Sequence, residues 1–312
     1  MAADRFISID IGTNSIKYCF AERRHPGVLT IVEEGIENTR LGEGIQTSGS
    51  LNSAAIDRSL AALDTILDGR SSRDDTEIFA AGTMALRMAK NTPDFLNMVK
   101  GRFGIDIEVL SGVREAEISF KAIQSGMPDI GRAMLIFDVG GGSTEITYAR
   151  DNRIISAESL NIGAVQLTEQ YFVSDPVHDA EYRDAMQAVS NSLGKVCFPD
   201  DLNSLIGIGG TVTTLAAIKL KLGRYDPHLI HGLTLPAPEL DRLIEMILKK
   251  RIGERKRITG LQPQRADIIL AGALIVREIL AKSGKSDIII SDRGLRHGIL
   301  LDRLPGMLLS QT

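Results

Sequence analysis

Two short patterns recur along this chain at one spacing, and that recurrence limits the fold more than any other feature. Phe6-Ile7-Ser8-Ile9 leads into Asp10-Ile11-Gly12-Thr13-Asn14-Ser15 and then into the alternating Ile16-Lys17-Tyr18-Cys19-Phe20. Met134-Leu135-Ile136-Phe137 leads in the same way into Asp138-Val139-Gly140-Gly141-Gly142-Ser143, followed by the alternating Thr144-Glu145-Ile146-Thr147-Tyr148-Ala149-Arg150. Both read as strand, Asp-x-Gly-x-x-Ser turn, strand, the glycines permitting φ > 0 and close backbone approach. A second pattern, strand then Gly-Thr then helix, lies 72 residues on in each case: Gly82-Thr83 follows Asp10, and Gly210-Thr211 follows Asp138. The chain is therefore read as a tandem duplication of one α/β unit offset by 128 residues, with little identity between the halves.

At 312 residues, with 43% hydrophobic and 24% charged residues, the chain is long enough for two cores rather than one. The expected division is 1–125 and 126–298, with the break at Ser125-Gly126-Met127-Pro128 and a C-terminal helix over 299–312 able to pack back on the first domain. No low-complexity linker separates the halves, so a cleft between them is expected. No apolar run reaches membrane-spanning length, and residues 1–9 lack a basic stretch followed by a long apolar one, which makes cytoplasm the expected compartment. Cys19 and Cys197 are the only cysteines; without a Cys or His at metal-ligand spacing, both read as reduced core or near-core thiols. The net charge of −4 gives no general attraction for DNA or other polyanions, so any anion site has to come from local positive potential.

The loops and helix starts supply that potential. Backbone N–H groups at Gly12, Thr13, Asn14 and Ser15, and at Gly140, Gly141, Gly142, Ser143 and Thr144, can form anion-binding concavities. Helix starts at Gly82-Thr83 and at Gly209-Gly210-Thr211 add unpaired N–H groups and the positive end of a dipole. Each loop alone equally suits a tight turn; four related elements in a duplicated frame favour phosphate. Asp10, Asp138 and Glu145 would repel that phosphate unless a divalent cation stood between, and Mg²⁺, with Mn²⁺ as the alternative, uses one or two carboxylates plus phosphate oxygens. Loop capping by the aspartates and a solvated Glu145 are the plainer readings.

Three further stretches leave alternatives open. Glu115, in the first turn of a helix after Ser111-Gly112, suits the helix dipole or a general base, since a carboxylate titrating near about 4.3 is ionised at neutral pH. Arg87, one turn after Thr83, is an exposed helix arginine or a phosphoryl clamp. The basic run 249–257 reads as a solvated helix end before a polyanion track. His228 and His231, at helical spacing, take ordinary polar roles before metal ones.

Taken in order, Ile9-Asp10-Ile11-Gly12-Thr13-Asn14-Ser15, Arg40-Leu41-Gly42-Glu43-Gly44, Gly82-Thr83 through Arg87, Leu110-Ser111-Gly112 with Glu115-Ala116, Asp138 to Glu145, Gly209-Gly210-Thr211, and Ser291-Asp292 with Gly294-Leu295-Arg296 resemble the exopolyphosphatase and guanosine pentaphosphate phosphohydrolase (Ppx/GppA) family. That family belongs to the actin, Hsp70 and sugar-kinase superfamily. The resemblance implies an α/β fold of two duplicated ribonuclease-H-like (actin-like ATPase) domains with an interdomain cleft, a homodimer, and an essential Mg²⁺ near Asp138 and Glu145. It also implies Glu115 as the water-activating base, Arg87 on phosphate, and hydrolysis of a terminal phosphoanhydride. Inorganic polyphosphate is the expected substrate and pppGpp the alternative. A non-catalytic polyphosphate or nucleotide sensor, and a kinase of the same superfamily, are the rivals. Arg114 stands where the family often has a further acid, and His297 where an acid often follows the arginine. The resemblance is to the short two-domain form, for which the helical extension of longer members is not expected.

Overall fold

The computed structural model describes residues 4–68, 76–127 and 131–311. These form two compact units: one holds the chain to Gly126 and again from Arg293, the other runs from Met127 to Asp292.

The first unit is built on β1 (Arg5–Ile11), β2 (Ile16–His25), β3 (Val28–Glu37), β4 (Thr76–Gly82) and β5 (Ile107–Val109). β1 is antiparallel to β2 and β2 to β3, whereas β4 runs parallel to β1 and β5 to β4. β1 is central in the sheet and both its faces are covered by helices, Ser53–Leu67 and Thr92–Phe103 on one side and Leu295–Arg303 on the other, so it reads as an apolar run. Ile7, Ile9 and Ile11 pack with Leu63, Ile66, Phe95 and Val99. On the opposite face Phe6 packs with Leu300 and Leu309, and the Ser8 hydroxyl donates to the Arg296 carbonyl at 2.6 Å. Alternation along the strand puts Asp10 on that second face.

The second unit repeats the plan with β6 (Ala133–Val139), β7 (Thr144–Arg150), β8 (Arg153–Leu160) and β9 (Ser204–Ile208), and adds β10 (Thr234–Pro236) and β11 (Asp287–Ile290). β6 is antiparallel to β7 and β7 to β8, whereas β9 is parallel to β6 and β11 to β9, with β10 at the edge beyond β11. The shared order 3-2-1-4-5 is that of a ribonuclease-H-like sheet, so the duplication read from spacing is a duplication of topology. Leu135, Phe137 and Val139 join a core with helix Gly209–Leu220 and helix Ile269–Lys282. The latter is buried nearly all round, as its continuous apolar sequence requires.

The segment expected to be helical over 299–312 is helix Leu295–Arg303 followed by β12 (Leu308–Gln311), which pairs parallel with β3 at the sheet edge. Pro305 has no N–H to continue the helix, and Gly306 turns the chain at φ +85°. The segment 293–298, expected with the second domain, lies in the first unit. Cys19 is buried in the core as expected, but Cys197 is exposed. No helix among the described residues is long and apolar enough to cross a membrane.

Helix Leu295–Arg303 crosses helix Gly112–Gly126 at Gly298, where an added Cβ would lie 2.1 Å from the Ile118 carbonyl oxygen. Backbone cannot yield there, so Gly298→Val is expected to destabilise the protein by about 3 kcal/mol, read as a lower midpoint in chemical denaturation.

Candidate active site

In each unit the loop after the first strand is a short turn closed by its own backbone: Gly12 N–H donates to the Ser15 carbonyl at 3.0 Å, and Gly140 N–H to that of Ser143 at 2.9 Å. A second segment takes up the loop carbonyls. Arg40 and Gly42 donate to Asn14 and Thr13, while Ala164 and Val165 donate to Gly140 and Gly141. With the carbonyls held on that side, the N–H groups of Thr13, Asn14, Gly141 and Gly142 donate to no acceptor among the described residues. Adjacent unengaged N–H groups on a fixed turn have the geometry that can accept an anion.

The Gly-Thr pairs brace these loops. Thr83 directs its N–H (3.2 Å) and hydroxyl (3.5 Å) to the Ile11 carbonyl, and the Thr211 hydroxyl donates to Val139 at 2.9 Å. The helix after Thr83 is only Met84–Met88, too short for much of a dipole, whereas helix Gly209–Leu220 is twelve residues long. The hydroxyls of Ser143 and Thr144 are engaged within the unit, on Glu145 Oε1 (2.7 Å) and on the Ile162 carbonyl (2.7 Å).

Gly209 has φ +81°, and an added Cβ there would sit 2.0 Å from Asp138 Oδ1, so only glycine lets the carboxylate lie against this helix start. Strand pairing sets Glu145 directly opposite Asp138. Ser143 and Ser159 hydroxyls fix Glu145 Oε1 at 2.7 and 2.9 Å. Two cross-strand carboxylates about 5 Å apart at Cβ are hard oxygen donors at the density Mg²⁺ uses, so this pair fits such an ion. In the first unit the same register sets Lys17 opposite Asp10, with Nζ 3.7 Å from the carboxylate. Burial pushes the Asp10 carboxyl above its ordinary value, against the pull of Lys17 and Arg296.

Arg87 and Glu115, named separately from the sequence, meet: Arg87 Nη1 donates to Glu115 Oε2 at 2.7 Å and to the Leu110 carbonyl at 2.9 Å. Glu115 lies in the first turn of helix Gly112–Gly126, and both side chains are partly exposed. Arg114 turns elsewhere, donating to Asp302 at 2.6 Å and to Glu117 at 3.2 Å.

Arg265 was not singled out from the sequence. Its guanidinium lies against Gly210, where an added Cβ would be 2.2 Å from Nη1, and donates to the Thr214 hydroxyl at 3.1 Å. Burial pushes it below the ordinary arginine value, with the Asp138 charge opposing. An arginine set at a helix start beside a carboxylate is well placed to share an anion, but nothing in the spacing around Pro263-Gln264-Arg265 distinguishes it from a surface residue. The basic run 249–257 divides: Lys249, Arg251, Lys256 and Arg257 are exposed, whereas Arg255 is buried and donates to the Ile247 carbonyl at 3.0 Å. His231 Nδ1 accepts from the Asp292 N–H at 3.3 Å, an ordinary polar role.

Cys19, Glu34 and His297 gather their polar atoms within 4.8 Å. Glu34 Oε2 receives Arg296 at 3.1 Å and lies 2.9 Å from His297 Nε2, and the Gly294 N–H donates to His297 Nδ1 at 3.3 Å, so side chains of the protein already serve the carboxylate.

The doubled 3-2-1-4-5 sheet with paired Asp-glycine loops defines a protein of the actin-like, ribonuclease-H-like fold class. Residues 20–307 match the Ppx/GppA phosphatase family, and the chain belongs to that family of hydrolases. It is 34% identical over 307 residues to the bifunctional 3-dehydroquinate synthase/phosphatase of Fusobacterium nucleatum, covering 95% of this chain and 46% of that protein, so it spans about half of that relative. Exopolyphosphatase 2 of Mycobacterium tuberculosis is 29% identical over 316 residues, with 96% and 99% of the two chains covered. Among solved structures, the Aquifex aeolicus Ppx/GppA family member superposes with a TM-score of 0.80 at 31% identity, over 96% and 97% of the chains.

Burial pushes Glu34 upward, but hydrogen bonds from His297 and Arg296 outweigh it and hold the carboxyl at about 2, against an ordinary 4.5. The stabilisation is therefore full above pH 4.5 and is lost as pH falls toward 2. Glu34→Gln is expected to cost about 3 kcal/mol at pH 7 and progressively less below pH 4.5, read from denaturant midpoints across that range.

Proposed function

We propose that the protein is an exopolyphosphatase that hydrolyses the terminal phosphoanhydride of inorganic polyphosphate and releases orthophosphate. The observation that carries this reading is the pair of glycine loops, each offering two adjacent unengaged N–H groups, in a family whose relatives include a protein named exopolyphosphatase. A polymer of identical phosphates suits repeated backbone cradles, which contact phosphoryl oxygens and no particular attached group.

Glu115 takes the proton of the attacking water, and Arg87 holds Glu115 at 2.7 Å while its guanidinium offers further N–H groups to a phosphoryl oxygen. Asp138 and Glu145 would hold Mg²⁺, or Mn²⁺ in its place, whose chemistry is neutralisation of charge on the transferred phosphoryl group. Thr13, Asn14, Gly141 and Gly142 orient the phosphates through their N–H groups, and the bracing by Thr83 and Thr211 keeps those groups aimed before substrate arrives.

Phosphate release measured side by side on long polyphosphate, short polyphosphate and pppGpp tests the assignment. The expected result is highest kcat/KM on polyphosphate; a preference for pppGpp would reassign the substrate, and binding of either without turnover would make the protein a sensor. Glu115→Gln is expected to reduce kcat by about 10²–10⁴-fold with little change in KM. Undiminished release by that variant would overturn the role of Glu115.

A further inference from the structure

Helix Leu295–Arg303 packs on the helix that carries Glu115, both within the first unit. The close crossing of Gly298 over the Ile118 carbonyl fixes how the two helices meet. Asp302 lies one turn beyond Gly298, and Arg114 and Lys121 lie one turn to either side of Ile118, so all three side chains share the contact face. Asp302 accepts from Arg114 Nη2 at 2.6 Å and from Lys121 Nζ at 2.5 Å, its own side chain only 9% exposed. Burial raises its carboxyl, but hydrogen bonds from Lys121 and Arg114 outweigh burial and hold it below its ordinary value, so it is charged at neutral pH.

Arg114 needs such a partner. It stands near the start of its helix, where the positive end of the dipole opposes a cation, and it is the immediate neighbour of Glu115. The cation that does touch Glu115 is Arg87, from helix Met84–Met88. On the other elements packed around this helix, Glu108 pairs with Arg303, while Arg296 and His297 serve Glu34. Asp302 and Glu117 thus balance Arg114 and Lys121, two acids against two bases, beside the carboxylate that has to take a proton. We infer that Asp302 is a positioning residue for the general base: it draws the Arg114 guanidinium off Glu115 and cancels its charge, so that Glu115 can still take a proton from water. An uncancelled guanidinium there would favour the ionised carboxylate and make it a weaker base. The role of Glu115 comes from the proposed function; the charge coupling of Asp302 and Arg114 to Glu115 holds without it.

Titration of the Glu115 side chain by NMR of its carboxyl carbon, the resonance identified by its loss in Glu115→Gln, is the test. Asp302→Asn leaves Arg114 uncancelled and is expected to lower the Glu115 midpoint by about 0.3–0.7 pH unit. Arg114→Met leaves Asp302 in excess and is expected to raise it by a similar amount. The double variant removes one charge of each sign and brings the midpoint back to within about 0.2 unit of the wild type. The acid limb of kcat/KM for phosphate release follows the same order, and high salt shrinks the differences. A packing role alone would lower kcat in all three variants with the Glu115 midpoint unmoved, which overturns the inference. A raised KM in Arg114→Met without a shift also overturns it, since Arg114 would then be a phosphate contact. Should Asp302→Asn fail to fold by circular dichroism, an unmoved midpoint in Arg114→Met is enough to overturn it. If the wild type releases no phosphate from polyphosphate, the substrate reading fails and the order of the midpoints stands.

Discussion

The antiparallel register of one strand pair governs what each half of this protein can hold. A two-stranded turn of fixed length sets residue 10 opposite 17 and residue 138 opposite 145, and the loop between is closed by a single N–H to carbonyl bond. A one-residue slip would send every side chain of the second strand to the other face. The apolar residues of β1 and β6 prevent that slip, because each has a packed face that tolerates no alternative. Core burial and site chemistry are therefore set by the same register. The bracing threonines depend on it too, since Thr83 and Thr211 reach the carbonyls of Ile11 and Val139 only when the parallel strand beside them is aligned.

Much of this was legible before any coordinates, and for a definite reason. Central strands of a parallel-type sheet are continuous apolar runs, so Phe6 to Ile11, Met134 to Val139 and Leu205 to Ile208 stand out from their surroundings. Turns that need glycine stand out as well, and the 72-residue spacing linked them. What stayed hidden lies at the margins. β3 and β8 are half-buried strands with charged residues along them, such as Glu33, Glu34 and Glu158, and they carry no clean alternation. β12 is four residues long and takes its conformation from pairing with β3 rather than from its own sequence.

The site followed the same division. Residues within a motif, such as Asp138, Glu145 and the glycines, were visible from local pattern. Glu115 and Arg87 were visible one by one, but their 2.7 Å contact joins residues from separate helices, and only the fold brings them together. Arg265 and Arg255 show the opposite error. Both look like solvated cations in sequence, yet both are buried, one against Gly210 and the other on the Ile247 carbonyl. An arginine's long stem lets a charged head reach a distant acceptor, so its burial is decided by neighbours far along the chain. Lys17 was the recoverable case, because laying the two halves over one another at the repeat offset sets it against Glu145.

The first unit is discontinuous: its sheet needs β12, and the Asp10 face of β1 is covered by helix Leu295–Arg303. The second unit is one uninterrupted stretch from Met127 to Asp292. During synthesis the order of completion is therefore the reverse of the order of translation. The sheet of the first unit waits, one face uncovered and the β3 edge unpaired, until residues 293–311 leave the ribosome, while the second unit needs no segment beyond Asp292. The nascent chain thus carries its first glycine loop well before the helix that supplies Arg296.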